Sequence, residues 1–172
     1  MKQRGLSMIE ILVTLTIVAF GLLGLLGLQA RALSFQKDSF DRKAAAELVA
    51  QLGERMRANH LGFLAGNYTA TFEAATATPS AVTTCTAPCT TAQVATRDLD
   101  EWRIELRRRI PGSAAYIQWD PANPSWVTVA MAWAEPQAPA RSAGDDLVCD
   151  ALEGAGATIP GNYRCYQTRV FP

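Results

Sequence analysis

RGLSMIEILVTLTIVAFGLLGLLGL, residues 4–28, is the stretch whose reading decides the fold of this chain. From Ile11 to Leu28, 18 residues in succession, no side chain carries a charge. At 1.5 Å of rise per residue a helix of that length spans about 27 Å, close to the hydrocarbon thickness of a bilayer. Lys2 and Arg4 precede the run. Positive charge is retained on the cytoplasmic side, so the start of the chain lies in the cytoplasm and the remainder outside it.

Three readings of this segment compete. A plain transmembrane anchor explains the length but not Glu10, a carboxylate at the start of the apolar stretch. A conventional secretory signal needs small residues at a cleavage site behind the apolar region, and Leu28-Gln29-Ala30 puts a bulky leucine where a small residue is wanted. The third reading is a short basic leader removed at Gly5, ahead of the apolar segment, which then stays on the mature protein. Arg4-Gly5-Leu6-Ser7-Met8-Ile9-Glu10-Ile11-Leu12-Val13 resembles the prepilin motif of type IV pilins and type II secretion pseudopilins. Leu6 stands where that motif usually has Phe, and Met8 where it usually has Leu; both keep the apolar character.

The resemblance implies cleavage after Gly5 by a prepilin peptidase and N-methylation of the new amine on Leu6. It also implies a task for Glu10. A carboxylate in hydrocarbon is costly and needs a partner. In pilins that partner is the N-terminal amine of a neighbouring subunit, which makes Glu10 an assembly carboxylate that sets the stagger of an entering subunit. The plainer alternative is that Glu10 reaches headgroups and water at the interface.

Beyond Leu28, the segment 29–59 is rich in good helix formers and holds no proline. Phe40, Ala44, Leu48, Leu52 and Met56 recur every fourth residue, with Ala45 and Val49 beside them, so one face is apolar and the other carries charge. The reading predicts one helix from Leu6 to about Asn59, about 80 Å long. Gly21, Gly24 and Gly27 recur at intervals of three. They either loosen the helix for bundling or let apolar helices approach closely, and the sequence leaves both open.

The 66–96 stretch is rich in Thr, Ala and Ser and reads as a long surface loop with a short strand around Tyr68–Phe72. Asp98 is expected to cap a second helix, with Glu101 three residues on and Leu99, Trp102, Leu106 and Ile110 as its buried stripe. Arg107, Arg108 and Arg109 fall in its last turn, where cations suit the helix dipole, before Pro111-Gly112 stops it. Strand signals follow at Ala114–Trp119, Trp126–Glu135 and Tyr163–Phe171. Asp98-Leu99 with Glu101-Trp102-Arg103, the Pro111-Gly112 stop and then Val127-Thr128-Val129 with Met131 and Trp133 are similar to the PilV minor pilins, as is Gly24-Leu25-Leu26-Gly27-Leu28-Gln29-Ala30 followed by Arg55-Met56-Arg57-Ala58-Asn59.

The chain of 172 residues suits one domain plus an anchor. Lys+Arg and Asp+Glu are each 16, so the net charge of zero gives no reason to expect nucleic acid as a partner. Four cysteines outside the inner membrane favour disulfides. Proximity in sequence favours Cys85–Cys89 and Cys149–Cys165; the rival four-cysteine zinc site has unsuitable spacing, so no metal is expected. The sole histidine, His60, ends the long helix without a motif around it. Asp145-Asp146 reads as a solvated loop, and Asn67-Tyr68-Thr69 fits a glycosylation sequon by chance. No catalytic constellation emerges, so neither enzyme activity nor a cofactor is expected.

The expected architecture is α+β and pilin-like: a long N-terminal helix packed on a small antiparallel sheet with a second helix. Residues 1–5 form the leader, 6–30 the transmembrane or filament-core half of the helix, and 31–172 a periplasmic head that includes the amphipathic half of the helix to about 60. The resemblance implies a minor pilin of a type IV pilus tip complex. Its partners would be other minor pilins, the major pilin, the prepilin peptidase, the inner-membrane assembly platform and a tip adhesin. The alternative is a minor pseudopilin of a type II secretion system. Before assembly the head stands in the periplasm on a single-pass inner-membrane helix; afterwards it belongs to the pilus.

Overall fold

The computed structural model describes residues 7–71, 82–85, 88–135, 140–142, 144, 146–154, 156 and 158–172. Gly5 and Leu6, the Phe72 end of the short strand expected at 68–72, and Asp145 lie outside the described residues. Two compact units divide between Ser39 and Phe40.

Helix α1 runs Met8–Ala58 and supplies both units. Within the first, the apolar side chains point outward all round; Ile9, Leu12, Leu15, Phe20, Leu23 and Leu26 are all exposed. Thr14 and Thr16 would be out of place on such a surface, but their hydroxyls donate back to helix carbonyls. Thr14 Oγ1 reaches the Glu10 and Ile11 oxygens at 3.0 and 2.9 Å, and Thr16 Oγ1 the Leu12 oxygen at 2.8 Å. Each donor is thereby satisfied inside the helix, as an apolar surrounding demands.

The second unit has a core on each side of one sheet. From α1, Ala45, Leu48, Val49, Leu52 and Met56 are buried, but Phe40 is 69% exposed. The expected stripe was thus wrong at its first member. A spacing of strictly four residues drifts around a helix with 3.6 per turn, and the buried face begins at Asp41 and Ala45 instead. Helix α2 (His60–Leu64) is a single further turn, with His60 at its start rather than at the end of α1.

Helix α3 (Thr91–Arg109) starts seven residues before Asp98, which corrects both the helix boundary and the length of the preceding loop. Its cap is Thr90, whose hydroxyl accepts from Gln93 N at 3.2 Å, while Gln93 Oε1 accepts from Thr90 N at 2.9 Å. This reciprocal capping box satisfies two donors and outcompetes a start at Asp98, whose carboxylate is used elsewhere. Leu99, Trp102 and Leu106 face the core with Ala95, and Trp102 Nε1 donates to the Leu48 oxygen of α1 at 2.7 Å. The arginine triplet occupies the last turn, and the chain turns at Pro111-Gly112 with Gly112 at φ 74°.

Strands β1 (Ala114–Trp119), β2 (Val127–Ala134) and β3 (Tyr163–Val170) form an antiparallel sheet in the order β1-β2-β3. Ala70 adds a single bridge to Ile117 at the outer edge of β1, all that is described of the expected strand there. Val127, Val129, Met131 and Trp133 of β2 face α1 and α3 in the main core. Gly53 of α1 packs closely under β3: a Cβ there would lie 3.1 Å from Val170 Cγ1. The opposite face carries Ala130 and Ala132, small enough for helix α4 (Leu147–Gly154) to lie against the sheet through Cys149 and Leu152. That helix was not expected; the segment containing Asp146 reads as loop by sequence. The whole is an α+β, pilin-like fold, with a long N-terminal apolar helix and a small antiparallel sheet.

Candidate functional site

The apolar helix of the first unit is long and apolar enough to cross a membrane, and none of its apolar window is buried. Glu10 sits in its first turn. Ser7 stands directly before the helix, and its oxygen accepts from Glu10 N at 3.0 Å and Ile11 N at 3.3 Å. A carboxylate here complements the positive end of the helix dipole. Its side chain is exposed, available to a cationic partner outside the chain. Gly21, Gly24 and Gly27 present bare backbone: a Cβ on any of them would meet nothing within 4 Å. What this surface can do chemically is bury apolar area against lipid or other helices, with one anionic point at its N-terminal end.

The head contains a polar cluster that sequence reasoning missed. Arg55 of α1 pairs with Asp98 at 3.2 Å and Glu101 at 2.7 Å, and Arg97 also reaches Glu101 at 2.9 Å. The fully buried Tyr68 donates its hydroxyl to Asp98, and Asn59 Nδ2 donates to the Tyr68 oxygen at 3.2 Å and to the Thr91 oxygen at 2.8 Å. Burial, reinforced by the Asp98 carboxylate, pushes the Tyr68 phenol well above its usual value. Hydrogen bonds from Arg55 and then Arg97 hold Glu101 below the usual glutamate value. The cluster joins α1, α3 and the segment after α2, so its chemistry is structural. A signal was present: Asp98 and Glu101 lie one helical turn apart on one side of α3, while Leu99 and Trp102 fill the core beside them.

Cys85 and Cys89 are joined in the structure with Cα atoms 5.7 Å apart, and Cys149 and Cys165 with Cα atoms 5.3 Å apart. The second bond ties α4 to β3. Asp146, Cys149 and Cys165 come within metal-ligand reach of one another, but both sulfurs are consumed by the disulfide and neither can offer a thiolate. Asp146 acts instead as a cap: its Oδ1 accepts from Val148 N at 3.1 Å and Cys149 N at 3.2 Å. Arg141, its side chain 4% exposed, reaches Asp150 at 2.6 Å and also pairs with Glu153, fastening the chain ahead of α4 to that helix. Arg109 pairs with Glu47 at 2.9 Å and Glu105 at 3.3 Å, and His60 stacks on Phe63. Asn67-Tyr68-Thr69 has its central tyrosine wholly buried.

Comparison with known proteins bears on both units. Residues 1–26 match the family model of the prokaryotic N-terminal methylation motif. Residues 27–100 match the model described as type IV pilin Tt1218, whose family is structural rather than enzymatic. No curated protein and no solved structure matches the chain. A prepilin-type methylation motif therefore runs directly into a segment similar to a type IV pilin, on a fold of the pilin kind.

Proposed function

We propose that this chain is a minor pilin that primes or modifies type IV pilus assembly as part of a minor-pilin tip complex. A prepilin peptidase removes residues 1–5 by cutting after Gly5 and methylates Leu6. The apolar helix then holds the subunit in the inner membrane, with its head in the periplasm, until the assembly platform moves it into the filament. There Glu10 pairs with the free N-terminal amine of a neighbouring subunit, since an unpartnered carboxylate among packed apolar helices costs too much to persist. One observation carries the reading: the methylation-motif match leads into a helix whose apolar side chains are outward and uncovered.

Mass spectrometry of the mature protein tests the processing: it begins at a methylated Leu6. An intact Met1, or a start at Arg31, refutes the processing. The tip-complex role rests on the likeness to PilV minor pilins at 98–103 and 55–59. Co-purification with candidate minor pilins tests it, and binding to none of them sinks it. Preferential binding to secretion pseudopilins would instead assign the chain to a type II secretion system.

A further inference from the structure

Helix α4 covers only part of the outer face of the sheet. Ala70, Ile117 and Val129 face the main core, so their neighbours along the chain alternate to the other side. There the bridge of Ala70 to Ile117 and the registers of β1, β2 and β3 set out one cross-strand row: Thr69, Gln118, Thr128 and Arg169. The next row, Thr71, Tyr116, Ala130 and Gln167, borders α4, which packs on Ala130. The first row is left open: Thr69, Gln118 and Arg169 are exposed and Thr128 is half-buried. With strands about 4.8 Å apart, it spans about 14 Å.

The hydrogen-bonding capacity of this row is unspent. Among the described residues its four side chains make no hydrogen bond and no ion pair. Arg169 instead lies over Trp126, its guanidinium carbon 4.4 Å from the ring centre, which fixes a cation at one end of the row. At the other end opens a concavity of about 490 Å³, lined by Thr69, Thr71, Arg103, Tyr116, Gln118 and Trp119, a size that suits a small polar ligand. A guanidinium therefore stands at each end, and no carboxylate stands between them. Asp120, one position beyond, spends its oxygens on Ala122 N at 2.9 Å and Asn123 Nδ2 at 2.8 Å.

We propose that this row is a binding face for an acidic oligosaccharide, with its ring hydroxyls along Thr69, Gln118 and Thr128 and a carboxylate on Arg169. Sugar hydroxyls both donate and accept, as do the threonine hydroxyls and the glutamine amide. A carboxylate matches the planar guanidinium fork in charge and in shape. A protein partner is less well served, because binding energy there concentrates in large apolar anchors. No member of either row is among the exposed large apolar side chains. Single-stranded nucleic acid needs a basic track and bare aromatic faces, and Arg169 already occupies Trp126. The face lies wholly in the head, so binding requires neither removal of the leader nor entry into a filament.

The test is calorimetric titration of the full chain, in micelles of an uncharged detergent, with tetragalacturonate and with a hyaluronan tetrasaccharide. At least one of them binds saturably, and its uncharged methyl ester binds about tenfold more weakly, as the loss of a charge-assisted hydrogen bond requires. Arg169→Ala lowers the affinity about tenfold and Gln118→Ala roughly threefold. Both side chains are exposed, so the melting temperature stays where it was. Arg108→Ala, which removes an exposed cation on α3 outside the face, leaves the affinity unchanged. Binding of neither acid, equal affinity for acid and ester, or unchanged affinity in Arg169→Ala overturns the proposal. Tighter binding of a polyglutamate peptide or of a single-stranded oligonucleotide, weakened by the same two substitutions, overturns it in favour of a protein or a nucleic acid.

Discussion

The described residues on the two sides of the Ser39–Phe40 division obey opposite rules of burial. In the helix of the first unit, large apolar side chains from Met8 to Leu33 are exposed; in the second, α1, α3 and the sheet exclude water from Leu48, Leu52, Met56, Trp102, Met131 and Trp133. An apolar side chain contributes to folding only when something covers it, at about 25 cal/mol per Å². The head covers these six. The apolar helix depends on lipid or neighbouring subunits, so the same residue types serve folding in one unit and assembly in the other.

That contrast can be broken most severely at the centre of the head. Trp102→Ala removes a ring that is 1% exposed and the hydrogen bond it donates to α1, and thermal denaturation in micelles will show a loss of about 3–5 kcal/mol. Leu23→Ala, equally conservative by sequence, leaves the head's melting temperature unchanged. Next in size is the crosslink between α4 and β3. Replacing Cys149 and Cys165 by Ala lowers stability by about 3 kcal/mol, measured by urea unfolding, since the bond closes a loop across a sequence separation of 16.

A smaller effect comes from the polar cluster, and it depends on pH. Tyr68 has a raised phenol pKa in the folded state, so its contribution is complete below the ordinary value of 10.0 and is lost as pH rises above it. Glu101 has a lowered one, so its contribution is complete above 4.5 and is lost as pH falls below that value. Tyr68→Phe costs about 1 kcal/mol at neutral pH and flattens the alkaline limb of a stability-pH profile; Glu101→Gln flattens the acid limb. Equal slopes in variant and parent would show that the cluster does not hold the three segments together. The smallest change in head stability is that of Glu10→Gln, which leaves the melting temperature where it was while reducing incorporation into filaments, read by immunoblot of sheared pili.

Much of the head was legible because its signals are local. The stop of α3, the alternation Val127, Val129, Met131, Trp133 and the core positions of α3 each depend on neighbours within a few residues. The errors have a common physical source. Asp98 looks like a cap because aspartate before an apolar run usually is one, yet its carboxylate is taken by Tyr68 and Arg55, 30 and 43 residues away. Phe40 looks like core because it begins a four-residue repeat, yet it is 69% exposed among the described residues. Helix α4 was missed because its eight residues are short and flanked by acidic and glycine residues that read as loop. It is stabilised by packing on Ala130 and Ala132, by the disulfide and by Arg141, none of which local propensity registers.

By itself the sequence determined the apolar helix and the position of Glu10 in its first turn. Those properties follow from chain composition meeting a medium, and they need no long-range contact. Only the tertiary structure decided that Asp98 serves a polar cluster rather than a helix start, that α4 exists, and that Arg55, Tyr68, Asp98 and Glu101 form one cluster. Each of these depends on groups far apart in the chain meeting inside a core, where an unpaired polar group is costly and a paired one can override local preference.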